Sequence, residues 1–186
     1  YIELSKSPTS RPVRSMGWPT TPLGPIASWP QSLRVSAGLV LDSRFPKMLL
    51  WGPQFVQLYN DGYKPILRDK HPRAMGQPCA ECCPEIWNFN RPILQKVFEH
   101  GETVYLEDQE YVLYPRGQRE IFYLTVCYSP VRDLTGQPSG VLSTLIDTTG
   151  RVLAERENAR LLAHSRNTSR MLEQWFEQAP GFGALL

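Results

Sequence analysis

Between Tyr128 and Arg151 the chain reads Y-S-P-V-R-D-L-T-G-Q-P-S-G-V-L-S-T-L-I-D-T-T-G-R. One apolar run ends at Ser129-Pro130, and turn residues follow through Asp133-Leu134-Thr135-Gly136. A second apolar run covers Val141 to Ile146 and closes on Asp147-Thr148-Thr149, after which a long polar helix begins. Two β-prone runs joined by so short a turn pair as an antiparallel hairpin. Any fold for this chain must therefore end in strand, turn, strand and outgoing helix.

The rest of the sequence supplies partners for that hairpin. Lys47 to Trp51 reads as a short strand, Gly52-Pro53 as a turn, and Gln54 to Tyr59 as the returning strand. Val104 to Glu107 is a further strand that Tyr111 to Tyr114 continues or bends away from, with a turn at Pro115-Arg116-Gly117. Glu120 to Ser129 is the longest strand, rich in Ile, Phe, Tyr, Thr and Val. Between the two groups lie helical segments. Asn60-Asp61 is placed to cap a short helix over Gly62 to Leu67. Glu81 to Trp87 forms a helical turn, and Pro92 to His100 a helix with Ile93, Leu94, Val97 and Phe98 on its apolar side and Gly101 as its stop. Ahead of the sheet, Gln31 to Ser43 reads as a helix with Leu33, Ala37, Val40 and Leu41 along one face.

With 186 residues, 41% hydrophobic and 20% charged, the chain can bury a core in one domain with flanking segments. A net charge of +2 with no basic stripe argues against nucleic acid as a partner. No apolar run reaches the ~20 residues that a membrane span needs. Four cysteines, three of them clustered, read as reduced thiols and place the chain in the cytoplasm. The chain begins at Tyr1 without methionine and stops in mid-pattern at Leu186, as expected of a fragment.

The hairpin and its exit resemble the last strands of a Per-Arnt-Sim (PAS) sensor domain. In that family the exit runs Asp, aliphatic, Thr, often Glu, then Arg; Asp147, Thr149 and Arg151 match, while Thr148 and Gly150 depart. Gly76 and Pro78 match the family's central Gly-x-Pro, and Asn60-Asp61-Gly62-Tyr63 its Asn or Asp before an aromatic residue. The string T-P-L-G-P-I-A-S-W-P-Q-S-L-R, Thr21 to Arg34, resembles the lead-in to the first PAS domain of bacterial multi-domain sensor histidine kinases. The resemblance implies an α+β fold: a five-stranded antiparallel sheet with flanking short helices, an N-terminal helical extension and a C-terminal signalling helix. The expected organisation is an arm over 1–21, the PAS domain over 22–150, the signalling helix over 151–176 and the truncated start of a following domain over 177–186. Trp18, Leu23, Ile26 and Trp29 are expected to hold much of 18–30 against the domain.

The resemblance also implies a ligand pocket between the covering helix and the inner sheet face. Strand alternation separates Phe122, Leu124, Val126 and Tyr128 from Ile121, Tyr123, Thr125 and Cys127, and does not say which set faces inward. The pocket candidates are Trp87, Phe98, Tyr105, Tyr123, Thr125 and Cys127, and those for signal transmission are Asp147, Thr149 and Arg151. Cys79, Cys82 and Cys83 supply half a zinc motif without a second pair, so no metal is expected; packed thiols or a redox site are the other readings. The cofactor is left unknown. His100 sits in the last turn of the covering helix, where the helix dipole accounts for it better than a haem iron. The Gly-x-Asn-Cys-Arg-Phe-x-Gln string of covalent flavin photoreceptors is missing. No nucleotide-binding loop, nucleophile elbow or zinc-protease motif occurs, so the fragment itself is not read as an enzyme.

The expected function is sensory input. A small-molecule, redox or partner signal biases the packing of the domain, and the C-terminal helix carries the change to histidine-kinase domains of the same chain in a two-component phosphorelay. A homodimer through the N- and C-terminal helices is the expected assembly. The alternative is a ligand-free dimerisation module that holds kinase chains in register; an input to a cyclic-di-nucleotide enzyme or a chemoreceptor is a third reading.

Overall fold

The computed structural model describes Val13 and residues 17–178. It divides into two compact units, residues 1–148 and 149–186. The expected arm falls largely, and the truncated following domain over 177–186 almost wholly, outside the described residues.

The first unit is built on one antiparallel sheet. Strands β1 (Lys47–Trp51), β2 (Val56–Tyr59), β3 (Val104–Leu113), β4 (Glu120–Arg132) and β5 (Pro138–Asp147) lie in the order β2-β1-β5-β4-β3. The central β5 pairs with β1 through Met48–Ser143 and Leu50–Val141, and with β4 through Tyr128–Ser143 and Val126–Leu145. Cross-strand partners share a face. Met48, Leu50, Gln57, Tyr128, Ser143 and Leu145 therefore lie on one face, the inner one.

Helix α1 (Gln31–Asp42) buries Leu33, Ala37, Val40 and Leu41, the face that its sequence predicts. It packs mainly on β1 and β2, which explains why all four residues of β2 are buried: one face meets the cavity side and the other meets α1. Ahead of α1, Trp18 and Trp29 meet edge to face with ring centroids 4.9 Å apart, both buried. Trp18 thus belongs to the core, and the segment from Trp18 packs against the domain as expected.

The connecting segment differs from expectation in instructive ways. Asn60 does not cap a helix with its side chain. Its amide donates to the carbonyls of Ser43 (2.8 Å) and Phe45 (2.7 Å), and its oxygen accepts from Lys47 N–H (3.1 Å). It ties the α1–β1 loop to the end of β2. A 3-10 turn over Asp61–Tyr63 then leads into α2 (Lys64–Leu67). Residues 76–79 run beside β2: Gly76 N–H donates to Gln57 O (2.7 Å), Gln57 N–H to Gln77 O (2.9 Å) and Cys79 N–H to Phe55 O (3.1 Å). Gly76 takes φ 76°, a left-handed conformation that suits glycine.

Helix α3 (Cys79–Cys82) is followed by α4 (Pro84–His100), which crosses the inner face over β5, β3 and β4. Helix α4 starts eight residues earlier than the sequence predicts and carries Pro92 inside it. The ring removes one backbone donor, but Pro92 and Asn88 are both exposed, so water can satisfy the freed carbonyl. Gly101 ends α4 at φ 68°.

Strand β3 is one strand, with a register shift between Leu106 and Gln109. Asp108 sits in the bulge at φ 48°. The bulge lets Leu106, opposite Val126, and Tyr111, opposite Phe122, face the same side although five residues separate them. Among the described residues, the second unit consists of helix α5 (Thr149–Gln178).

Candidate functional site

A cavity of about 50 Å³ lies between α4 and the inner face of the sheet. The sheet supplies Met48, Leu50, Gln57, Leu113, Tyr128 and Ser143, and α4 supplies Ile86, Asn90 and Leu94. Tyr63, Ile66 and Leu67 close one side, with Cys79 at the start of α3 and Cys83 just before α4. The exposed Asp69 and Tyr114 stand with the half-buried Lys70 and Glu85 at the mouth, where Lys70 and Glu85 form an ion pair.

Three polar side chains in this lining have an oxygen without a hydrogen-bond partner. They are Gln57 Oε1 on β2, Asn90 Oδ1 on α4 and Ser143 Oγ on β5. Their residues are 0%, 6% and 1% exposed. A buried polar atom left unpaired costs about 1–3 kcal/mol, so each of these oxygens calls for a donor, from water or from a guest. The volume admits a few water molecules or a compact small molecule.

The phenols around the cavity stay protonated at neutral pH. Burial, then the nearby Cys83 and Cys79 thiols, pushes the Tyr63 hydroxyl up; it lies near Ser143 without closing a bond to Oγ. Burial, then Tyr111 and Tyr63, pushes Tyr128 up, and its hydroxyl lies 3.3 Å from that of Tyr111. Burial raises Tyr111 as well. The interior is thus uncharged where the sheet meets α4, and full charges sit at the mouth.

None of the six residues expected in the pocket lines this cavity. The inward set on β4 is Phe122, Leu124, Val126 and Tyr128. Tyr123, Thr125 and Cys127 lie on the outer face, where Tyr123 donates to Glu110 Oε2 (2.9 Å), Thr125 Oγ1 accepts from Asp108 N–H in the bulge (3.2 Å), and Cys127 Sγ lies 3.5 Å from Ser129 Oγ. Tyr105, opposite Cys127, is 61% exposed. Trp87 and Phe98 pack instead on Phe55, with centroids 6.1 and 5.6 Å away. The residues that sequence reasoning missed did leave a signal. Asn90 interrupts the apolar stripe Ile86, Asn90, Leu94, Val97, and Gln57 and Ser143 are polar positions inside apolar strands.

Among the described residues no three His, Cys, Asp or Glu side chains are grouped to hold a metal ion, and no helix is long and apolar enough to cross a membrane. His100 is exposed at the last position of α4 and does not line the cavity.

The exit residues bracket the end of the sheet. Asp147, the last residue of β5, pairs with Leu124. Thr148, one of the two departures from the resemblance, donates both its N–H (2.8 Å) and its hydroxyl (3.0 Å) to Tyr123 O. Thr149 opens α5, and Arg151 pairs with Glu155 one turn on (2.9 Å).

No family model and no curated protein sequence matches the chain. Solved structures do. The PAS domain of BvgS from Bordetella pertussis matches with a TM-score of 0.52 at 17% identity, over 71% of this chain and 97% of that one. The chain has a PAS fold. An RNA-binding Light-Oxygen-Voltage receptor also matches, with a TM-score of 0.50 at 14% identity over 73% of this chain; the match spans 38% of that receptor's length. In the frame of the PAS fold, β1 to β5 form the sheet, α4 is the covering helix and the cavity lies between them.

Proposed function

We propose that this PAS fold is a sensory input module whose cavity binds a small, uncharged molecule rich in hydrogen-bond donors. The observation that carries the reading is the trio of buried, unpartnered oxygens on Gln57, Asn90 and Ser143, contributed by a strand, the covering helix and the central strand. A guest that bonds all three links α4 to the sheet and favours the packing in which they stand closest. Such a ligand shifts the balance only by its differential affinity for the two packings. The change passes along β5 to Asp147, Thr149 and Arg151 and into the outgoing helix. The output is a histidine kinase of the same chain, in a cytoplasmic two-component phosphorelay. The kinase assignment rests on the likeness of Thr21–Arg34 to the lead-in of such kinases.

The test is native mass spectrometry of the protein purified without denaturation, followed by extraction and identification of any small molecule. A stoichiometric adduct that Asn90→Leu abolishes supports the reading. An adduct-free protein whose melting temperature no donor-bearing small molecule raises removes it. In the full-length kinase, Asp147→Ala is expected to leave the fold intact and abolish regulation of autophosphorylation; unchanged regulation counts against the exit route.

One observation favours a second reading, a dimerisation module. Helix α5 presents Leu161, Met171, Leu172, Trp175 and Phe176 to solvent, each more than half exposed. A concentration-independent monomer in sedimentation equilibrium removes it.

A further inference from the structure

The cavity also brings together two thiols. Cys79 opens α3, and Cys83 follows it at the joint with α4, with Cys83 N–H donating to Cys79 O (2.9 Å). That bond places the two residues one turn apart, where Cβ atoms stand about 5–6 Å from each other and Cα atoms fall inside the range that a disulfide spans. Both line the cavity; Cys82, between them, does not. Cys83 has φ −131° and ψ 55°, outside the helical region, so it can move without unwinding either helix.

We propose that Cys79 and Cys83 are a reversible dithiol–disulfide pair, oxidised by a small hydroperoxide that enters through the cavity. Hydrogen peroxide fits the volume, and its two O–H groups can donate to two of the three unpartnered oxygens of Gln57, Asn90 and Ser143. The environment differentiates the two sulfurs. A hydrogen bond from the Cys79 thiol, with help from the Lys70 ammonium, holds Cys83 below the ordinary thiol range against the opposing effect of burial. Cys79 is pushed up by its bond to Cys83 and by burial.

Cys83, which the Lys70 ammonium also hydrogen-bonds, is assigned the attack and Cys79 the resolving step. The Cys83 thiolate attacks one peroxide oxygen and the O–O bond breaks. The leaving hydroxide takes the proton that Cys83 gave up and departs as water, leaving a Cys83 sulfenic acid. Cys79 then gives up its proton, its sulfur attacks that of Cys83 and the S–O bond breaks. The second hydroxide takes that proton and leaves as water. In all, two thiols lose two electrons and two protons, and hydrogen peroxide takes up both to give two waters. Forming the bond draws the Cβ atoms to about 3.8 Å, which pulls the start of α4, the helix that carries Asn90, towards α3. This inference shares the cavity with the ligand reading but does not depend on its ligand.

The test uses the chain carrying Cys82→Ser and Cys127→Ser, reduced and then exposed to excess hydrogen peroxide. Intact mass is expected to fall by two hydrogens with no oxygen added, on a monomeric protein, and dithiothreitol restores it. Adding Cys79→Ser is expected to stop the reaction at a sulfenic acid that dimedone traps; adding Cys83→Ser is expected to give neither product. Circular dichroism checks each fold, and Cys79→Ala replaces any Cys79→Ser protein that fails to fold. The proposal is overturned if both thiols stay alkylatable after peroxide, if they oxidise only in urea, or if the bond joins two chains. A reduced protein free of any small-molecule adduct sinks the ligand reading alone.

Discussion

Two kinds of buried polar residue behave in opposite ways here. Asn60 is 1% exposed and has every strong bond it needs: two carbonyls take its amide protons and one backbone N–H takes its oxygen. Truncation to alanine takes the side-chain partner from Ser43 O and from Lys47 N–H, and one of two donors from Phe45 O, which keeps the Ser43 hydroxyl (3.2 Å). Asn60→Ala is expected to destabilise the domain by roughly 2–3 kcal/mol, seen as a lower urea midpoint with unchanged slope. Ser143 is equally buried but has no partner for its hydroxyl. Ser143→Ala is therefore expected to be neutral or stabilising by up to about 1 kcal/mol in ligand-free protein. The same change should shrink the rise in melting temperature that a bound ligand gives. Equal ligand-induced rises in wild type and variant would remove Ser143 from the site.

At the scale of the element, the β4–β5 hairpin is held by one carboxylate. Asp133 Oδ1 accepts from Thr135 N–H (2.8 Å), Thr135 Oγ1 (2.6 Å) and Gln137 N–H (3.1 Å), and Oδ2 lies 3.3 Å from Ser139 Oγ. The Thr135 hydroxyl bond is the largest cause that holds this carboxyl below the usual carboxylate range. Its stabilisation is fully present above the unfolded value near pH ~3.9 and fades as pH falls through the lower folded value. Asp133→Asn is expected to narrow its stability gap to wild type as pH drops from 6 towards 3 in urea titrations. A gap that stays constant over that window excludes the carboxylate as the cause. Gly140, opposite Trp51, leaves no room for a side chain: an added Cβ would come within 2.8 Å of the indole and 3.1 Å of Leu50 O. Gly140→Ala is expected to cost about 1–3 kcal/mol, read from the thermal midpoint. The hairpin, β1 and α1 were legible because their signals are local: turn residues, alternation and a single apolar face. The inward face of β4 was not, because both of its sides are apolar enough to be buried. The choice is made by α4 and by the bulge at Asp108, whose acidic surroundings look like an ordinary exposed edge until β4 lies beside them. The start of α4 was hidden by Pro92, which reads as a boundary when the solvent exposure of its turn is unknown.

For the molecule as a whole, the two units have unlike sources of stability. The described residues up to 148 share one core that includes Trp18, Trp29 and the α1 face. Helix α5 has thirty residues and a largely exposed apolar set. In proteins most helical stability comes from packing of an amphipathic face, and α5 leaves most of its large apolar side chains in water. A peptide spanning 149–178 is expected to be mostly unfolded when dilute and to gain helicity with concentration, as measured by circular dichroism. Helicity that is independent of concentration would count against self-association through this segment. A seven-residue frame puts Ala154, Asn158, Leu161, Ser165, Thr168, Leu172 and Trp175 on one seam, whose polar middle permits association without enforcing one register.

Thr148 fastens the final residue of the sheet unit to a single carbonyl, that of Tyr123, through two hydrogen bonds. Tyr123 adjoins Leu124, whose side chain is sealed in the interior. A displacement of β4 within the core therefore reaches the chain's way out with little slack. Thr148→Val would keep the shape but remove one of the two fastenings, and with it part of the stiffness on which any mechanical readout of this domain depends.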